Sequence, residues 1–598
     1  MTKHTKAFTP FFLSLFFCIQ TSNLSAQQHY SKAVNEQIAR VETTLSGGIV
    51  IDGKLYTLAE RMKHYNVAGL SVAVIDNYQI VWAKGYGYAD KKENRKVTAN
   101  TMFEPGSISK SLNAVGILQL VQHGKLDLYQ DINQYLVNWK FPYDTVSHGK
   151  KITTAQLLSH TAGLSVHGFP GYQRDSAIAG VTDILDGRAP SNTEAVRSFT
   201  EPGKEARYSG GGILITQQML TDLTKQRYEQ YMYEHVLRPL GMTNSSYNQP
   251  PSVSQRKNLA TGYKSNGNEV PGKYFVYPEK AAAGLWTTPT DICKYIIEMQ
   301  QAYQGKSSRV INQEMVKLHT TPVKNDIAMG TYIQNRNGEK YFVHTASNEG
   351  FSGLFIGGLT NGKGAAIFVN SDDASISFEL VNTIALVYNW AGFKKPEQIT
   401  TVPVNDTITS KYIGEYITDG FFSEIKKEKD GLYFWTDGIS SKMYFTSSTD
   451  FRNIELGGTK TFTFDNAGTV TGFSNTINGR LRATGQRITT LDTLKPRPGQ
   501  SGSFGRHFLE TKNYDKAIGF LSKGLASEPS DSSLVRDLAH SYLFKGDFTK
   551  AIELYRQYLK PGHIGNELSK SLKNDFEYFR NAGFDHSVIK KASEILSL

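Results

Sequence analysis

Over residues 30–392, strand-like runs mark both ends of the stretch and helical periodicity fills the middle. Leu70-Ser71-Val72-Ala73-Val74-Ile75 and Tyr78-Gln79-Ile80-Val81-Trp82 read as two strands, with Asp76-Asn77 as the hairpin turn signal between them. Ile108, Leu112, Val115 and Leu118 then recur at helical spacing. A late hairpin is predicted from Leu354-Phe355-Ile356, a turn at Asn361-Gly362, and Ala365-Ala366-Ile367-Phe368-Val369. Phe378, Val381, Ile384, Ala385 and Tyr388 form the apolar face of a following helix. The pattern predicts an α+β unit: an antiparallel sheet whose edges come from distant parts of the chain, flanked by helices.

After Lys394-Lys395-Pro396-Glu397 the pattern changes. Short β-favouring runs such as Tyr412-Ile413-Gly414-Glu415-Tyr416, Gly431-Leu432-Tyr433-Phe434-Trp435 and Thr461-Phe462-Thr463-Phe464 predict a small sheet or barrel over 400–492. Lys495-Pro496-Arg497-Pro498-Gly499 is a second linker, and 500–598 is helical. There Asn513-Tyr514-Asp515-Lys516-Ala517-Ile518 returns as Asp547-Phe548-Thr549-Lys550-Ala551-Ile552, a shift of 34 residues, which is the period of tetratricopeptide helix pairs. Ala517 and Ala551 take the small positions where paired helices approach, and Pro529 falls where one copy ends. Two copies are fewer than such arrays need, so these helices are expected to lean on a neighbouring domain or on their own C-terminal extension. A protein partner for the helices and a purely packing role remain equal alternatives.

Composition narrows the class. With 20% charged and 39% hydrophobic residues, the 598-residue chain has an ordinary globular balance. The net charge of +11 favours acidic surfaces such as wall polymers, but no Lys/Arg run has the length of a nucleic-acid arm. Lys3 and Lys6 precede the apolar Phe11–Ile19 run, and Leu24-Ser25-Ala26 follows, giving the three-part pattern of a secretory signal over 1–26. The expected location is therefore periplasmic or extracellular. One cysteine remains after cleavage, Cys293, read as a small core residue. No His-Glu-x-x-His or paired-Cys spacing points to a metal, and Gly210-Gly211-Gly212 lacks the Lys-Ser/Thr of a phosphate loop; no cofactor is implied.

The chemistry centres on Phe103-Glu104-Pro105-Gly106-Ser107-Ile108-Ser109-Lys110. Pro105-Gly106 makes a turn, so Ser107 sits at a helix N-terminus with Lys110 one turn on, on the same face. A serine hydroxyl is a weak nucleophile and needs a base; a lysine amine serves if burial lowers its pKa. Ser-x-x-Lys alone is a weak signal. Two further segments join it: the Gly-rich loop Glu201–Gly212, which presents Tyr208 as a proton carrier, and His344-Thr345-Ala346-Ser347, a strand edge able to offer a backbone N–H to an oxyanion.

This ordered set resembles the class C β-lactamase and penicillin-binding serine hydrolase superfamily. Leu157-Leu158-Ser159-His160-Thr161-Ala162-Gly163-Leu164 is similar to its LLSHTSGL segment, Ala282-Ala283-Gly284-Leu285-Trp286-Thr287 to its AAGGLWST segment, and Val67–Val74 to its first strand. The resemblance runs from about 55 to 390. It implies a β-lactamase/transpeptidase-like fold, an acylated Ser107, proton transfer shared by Lys110 and Tyr208, and an oxyanion hole from the N–H groups of Ser107 and Ser347. Either Lys110 or Tyr208 fits the base. His160 is assigned to packing. Two positions depart from the family: Gly210 replaces the Asn of Tyr-x-Asn, and His344-Thr345-Ala346 replaces Lys-Thr-Gly, putting a weaker, switchable cation where a lysine holds a carboxylate. The implied activity is hydrolysis of a small ester or peptide-like amide by an esterase or D-amino-acid peptidase. A β-lactamase or penicillin-binding protein is the second alternative, and a non-catalytic wall- or peptide-binding protein the third.

Overall fold

The computed structural model describes residues 30–418, 421–436, 439–477, 479–488, 500–529, 531–559 and 565–598. The expected signal segment, residues 1–26, and the expected linker at Lys495–Gly499 lie outside them. The chain divides into two compact units: one holds residues up to Leu45 and Tyr56–Lys394, the other Ser46–Leu55 and Lys395–Leu598. The short Ser46–Leu55 segment leaves the first unit because Ile49–Ile51 pairs in parallel with Glu397–Ile399.

In the first unit, seven strands form one antiparallel sheet: β1 (Gly69–Asp76), β2 (Gln79–Asp90), β3 (Arg95–Lys96), β4 (Tyr332–Arg336), β5 (Glu339–Asn348), β6 (Phe351–Gly358) and β7 (Gly364–Val369). Their order is β3-β2-β1-β7-β6-β5-β4. The early and late hairpins meet at β1–β7, so each edge comes from a different end of the unit. β1, β6 and β7 are almost wholly buried, which explains their continuous apolar runs.

The first hairpin turns at Asn77-Tyr78 rather than Asp76-Asn77. Both residues have positive φ, 49° and 61°, as a two-residue turn between twisted strands requires. Tyr78 is held there because its N–H donates to Gly362 O at 3.1 Å and its hydroxyl to Thr360 O at 2.6 Å.

The helices that shape the site are α1 (Ser109–Gln122), α2 (Thr154–Leu158), α3 (Gly210–Thr224), α4 (Lys280–Ala283) and α5 (Pro289–Tyr303); α6 (Ser375–Val387) lies on the sheet. Cys293 on α5 is buried, in line with its core reading. On α6 the expected face is buried at Val381, Ile384 and Ala385, as is Tyr388 just past the helix, but Phe378 is exposed and Ile376 and Leu380 complete the buried face.

Among the described residues the second unit has a sheet of nine strands: β8 (Gly414–Thr418), β9 (Phe421–Glu428), β10 (Gly431–Thr436), β11 (Ile439–Lys442), β12 (Tyr444–Phe445), β13 (Asp450–Arg452), β14 (Thr459–Phe464), β15 (Val470–Ile477) and β16 (Arg480–Arg487). Their order is β11-β10-β9-β8-β16-β15-β14-β13-β12. The two outer strands, β11 and β12, are separated in sequence only by Met443, so the sheet curls toward a barrel. Tyr412, Phe434, Phe451, Phe462 and Phe473 fill it. Helices α7 (Gln500–Glu510), α8 (Tyr514–Ser527), α9 (Ser532–Lys545), α10 (Phe548–Tyr558), α11 (Gly565–Asn581) and α12 (His586–Leu596) follow, with α8 and α10 beginning 34 residues apart. Their core is shared with the barrel: Phe422 meets Phe508 at 4.8 Å and Trp435 meets His507 at 4.1 Å between ring centroids. The helices therefore do lean on the preceding β domain. Among the described residues no helix is long and apolar enough to cross a membrane.

Candidate active site

Ser107 lies in a single 3₁₀ turn, Gly106–Ile108, that runs straight into α1. Gly106 has φ +46°, and a Cβ there would stand 2.7 Å from Ser347 O. Only glycine lets this turn press against β5. The turn is braced from behind: Ser109 Oγ donates to Gly106 O at 2.5 Å and accepts the Leu285 N–H at 3.0 Å.

Lys110 Nζ is 3.0 Å from Ser107 Oγ and 2.7 Å from Ala282 O, the last turn of α4. The lysine is 2% exposed, and burial brings its pKa down to about 7. A large fraction is then the neutral amine at neutral pH, able to take a proton. The Tyr208 hydroxyl donates to Ser107 Oγ at 2.8 Å, and burial pushes the phenol's pKa up, so it stays un-ionised. The two groups left open as the base thus differ: the amine is poised to accept a proton and the phenol to donate one. The Lys110 ammonium position lies 5.0 Å from the centre of the Tyr208 ring.

β4 pairs with β5 only as far as Val343, leaving residues 344–348 with β6 on one side and the Gly106 turn on the other. A Cβ on Gly106 would meet Ser347 O at 2.7 Å, so Ser347 borders the turn that carries Ser107. The side chains of Thr345 and Ser347 are exposed.

His344 departs from the expected switchable cation. It is 3% exposed, its Nδ1–H donates to Thr345 O at 2.6 Å, and burial followed by the Lys110 charge pulls its pKa to about 4. It is a neutral imidazole packed edge-on against Tyr332, at 5.5 Å. Gly210 starts α3, and its N–H donates to His167 O at 2.9 Å. A Cβ at 210 would meet Phe169 Cε2 at 3.0 Å, so an aromatic ring stands where a longer side chain would project.

Sequence reasoning missed Asn348 and Glu104. Asn348 Nδ2 donates to Ala283 O at 3.0 Å, tying β5 to α4 just as Lys110 ties α1 to it. Glu104 is fully buried, accepts from Gln249 Nε2 at 2.7 Å, and is also bonded to Asn348; burial raises its pKa well above the carboxylate range. A protonated Glu104 explains how a carboxyl sits there without a cation. Neither residue has a motif, because their partners come from distant segments.

The fold also gathers Asp537, His540 and Asp575 in the helical region, a potential metal-ligand set with no sequence signature. Arg506 pairs with Asp537 at 3.2 Å and Arg536 with Asp575 at 3.0 Å, so guanidinium groups take the place of a cation.

Residues 57–386 match the model of the family described as Beta-lactamase. The chain belongs to the β-lactamase family. Protein flp of Staphylococcus aureus (strain N315) is 26% identical over 318 residues, 51% of this chain and 60% of that protein. PbpX of Bacillus subtilis is 28% identical over 284 residues, 46% and 64% respectively. The match thus spans less than two thirds of these relatives. Among solved structures, the octameric penicillin-binding protein homologue of Pyrococcus abyssi superposes with a TM-score of 0.50 at 22% identity, over 71% of this chain and 98% of that one. That likeness establishes the β-lactamase/transpeptidase-like fold of the sheet and its helices.

Proposed function

We propose that the chain is a secreted serine hydrolase that works through an acyl-enzyme on an ester or amide, of the esterase or D-amino-acid peptidase type. The observation that carries this reading is the approach of both Lys110 Nζ and Tyr208 Oη to within 3.0 Å of Ser107 Oγ. Neutral Lys110 takes the Ser107 proton as Oγ attacks the substrate carbonyl. The N–H groups of Ser107 and Ser347 hold the resulting oxyanion. Tyr208 gives its proton to the leaving alkoxide or amine as the C–O or C–N bond breaks, and recovers one from Lys110. Water then enters, loses a proton through the same groups, and releases the acid and free Ser107.

The recognition side supports esters and D-amino-acid amides over β-lactams. Phe169 stands beside Gly210 where an amide would be, and His344 carries no charge to hold a carboxylate. A panel of short-chain esters, D-amino-acid amides and β-lactams, run beside Ser107→Ala, tests this. Ester or D-amide turnover well above β-lactam turnover is expected; the reverse order overturns the substrate assignment. Acylation of Ser107 with no turnover of any member would favour the non-catalytic alternative.

A further inference from the structure

We infer that His160 is the positioning residue that holds the Tyr208 phenol on Ser107. The inference rests on the role given above to Tyr208, and it revises the packing role first given to His160.

His160 grips the tyrosine loop on both sides of Tyr208. Its carbonyl oxygen accepts the Arg207 N–H at 2.8 Å, and its ring Nδ1 accepts the Ser209 N–H at 3.2 Å. The residues immediately before and after Tyr208 are therefore bonded to one side chain and its own backbone. The imidazole then lies against the tyrosine ring, with centroids 4.3 Å apart and planes inclined by 34°. His167 covers the same ring at 5.0 Å.

The backbone of His160 is shaped for this grip. Its φ of +55° is the left-handed region, which aims the carbonyl and the ring at the same short segment. Neighbouring bonds keep the two segments in register: Gly203 N–H donates to Thr161 O at 2.7 Å, and Gly211 N–H to Val166 O at 3.1 Å.

Because a backbone N–H can only donate, Nδ1 must be the unprotonated nitrogen. Burial first, then the neighbouring Lys110, holds the ring neutral. The grip and the lowered lysine pKa therefore belong to one buried cluster, in which His160 and Lys110 are 3% and 2% exposed.

The test compares His160→Ala with His160→Asn. Asn tolerates the left-handed backbone, and its Oδ1 replaces Nδ1 as acceptor. With a turned-over ester, His160→Ala is expected to lower kcat about 100-fold with little change in KM, the scale of a small misplacement of a reacting group. His160→Asn should recover about tenfold of that loss. In a Tyr208→Phe background, His160→Ala should cost less than about threefold more, since the group it positions is gone. Equal losses in both backgrounds, or an Asn variant no better than Ala, would overturn the inference. Tyrosine-ring NMR reads the same point without turnover. The resonance assigned to Tyr208 by Tyr208→Phe should move when the His160 ring is removed, and an unmoved resonance contradicts the clamp. Wild type inactive on every substrate, with that resonance still moving, would fault the proposed hydrolase and leave the clamp standing.

Discussion

On one side of Ser107, Lys110 and Tyr208 approach the hydroxyl to 3.0 and 2.8 Å. On the other, Gly210 and His344 occupy the positions from which β-lactamases of this type grip their substrate. The first side is assembled from short-range geometry. One helical turn sets Lys110 on Ser107, and a loop pinned at both ends delivers Tyr208. The second side depends on what distant segments place nearby: Phe169 fills the space at Gly210, and Tyr332 and the sheet bury His344. The contrast teaches that, for the proposed hydrolase, acylation chemistry and substrate choice rest on separate groups. One can be kept while the other is rebuilt.

The largest expected effect breaks the activating side. Lys110→Met should lower kcat by about 10³-fold, the scale of a lost general base. Its sign against pH is fixed by the direction of the shift. With the lysine pKa lowered from 10.5 to about 7, the reactive neutral amine accumulates above that value. Wild-type kcat/KM should rise with pH through a midpoint near 7. A flat profile below that point would remove Lys110 from the role.

A smaller effect sharpens the recognition side. Gly210→Asn should cost about 1–3 kcal/mol in thermal unfolding, the usual scale of overpacking, because the new side chain meets Phe169. Adding Phe169→Ala should relieve that cost. If the single variant unfolds like wild type and gains β-lactam hydrolysis, Phe169 is not the obstacle.

The smallest effect concerns His344. A buried neutral imidazole can be exchanged for neutral Gln with less than about a threefold change in KM for carboxylate-bearing substrates across pH 5–8. A KM for such substrates that improves on acidification in wild type, and no longer does in His344→Gln, would restore the cationic role.

Much of this was legible in the sequence, for identifiable reasons. The Ser-x-x-Lys spacing and the Tyr208 loop mark in the chain the two side chains that the fold brings to Ser107. The hydrophobic runs gave both hairpins, because buried antiparallel strands leave long apolar stretches. What stayed hidden depends on contacts between distant segments. Nothing near His344 in sequence says that its ring will be buried. Glu104 and Asn348 find each other across the fold, and His160 looks like a packing residue until its carbonyl and ring are seen to share the Tyr208 loop. The Asn77-Tyr78 turn was displaced by one residue because Tyr78 is held in a left-handed conformation by Gly362 and Thr360, which arrive from the late hairpin.

Ser107 is the proposed nucleophile of an acyl-enzyme. Intact-mass and peptide-mapping mass spectrometry after exposure to an activated ester probe tests it most directly. One equivalent of acyl group on Ser107 is expected, forming faster as pH rises through 7, with no adduct on Ser107→Ala. Adduct on another residue, or equal labelling of Ser107→Ala, would contradict the account.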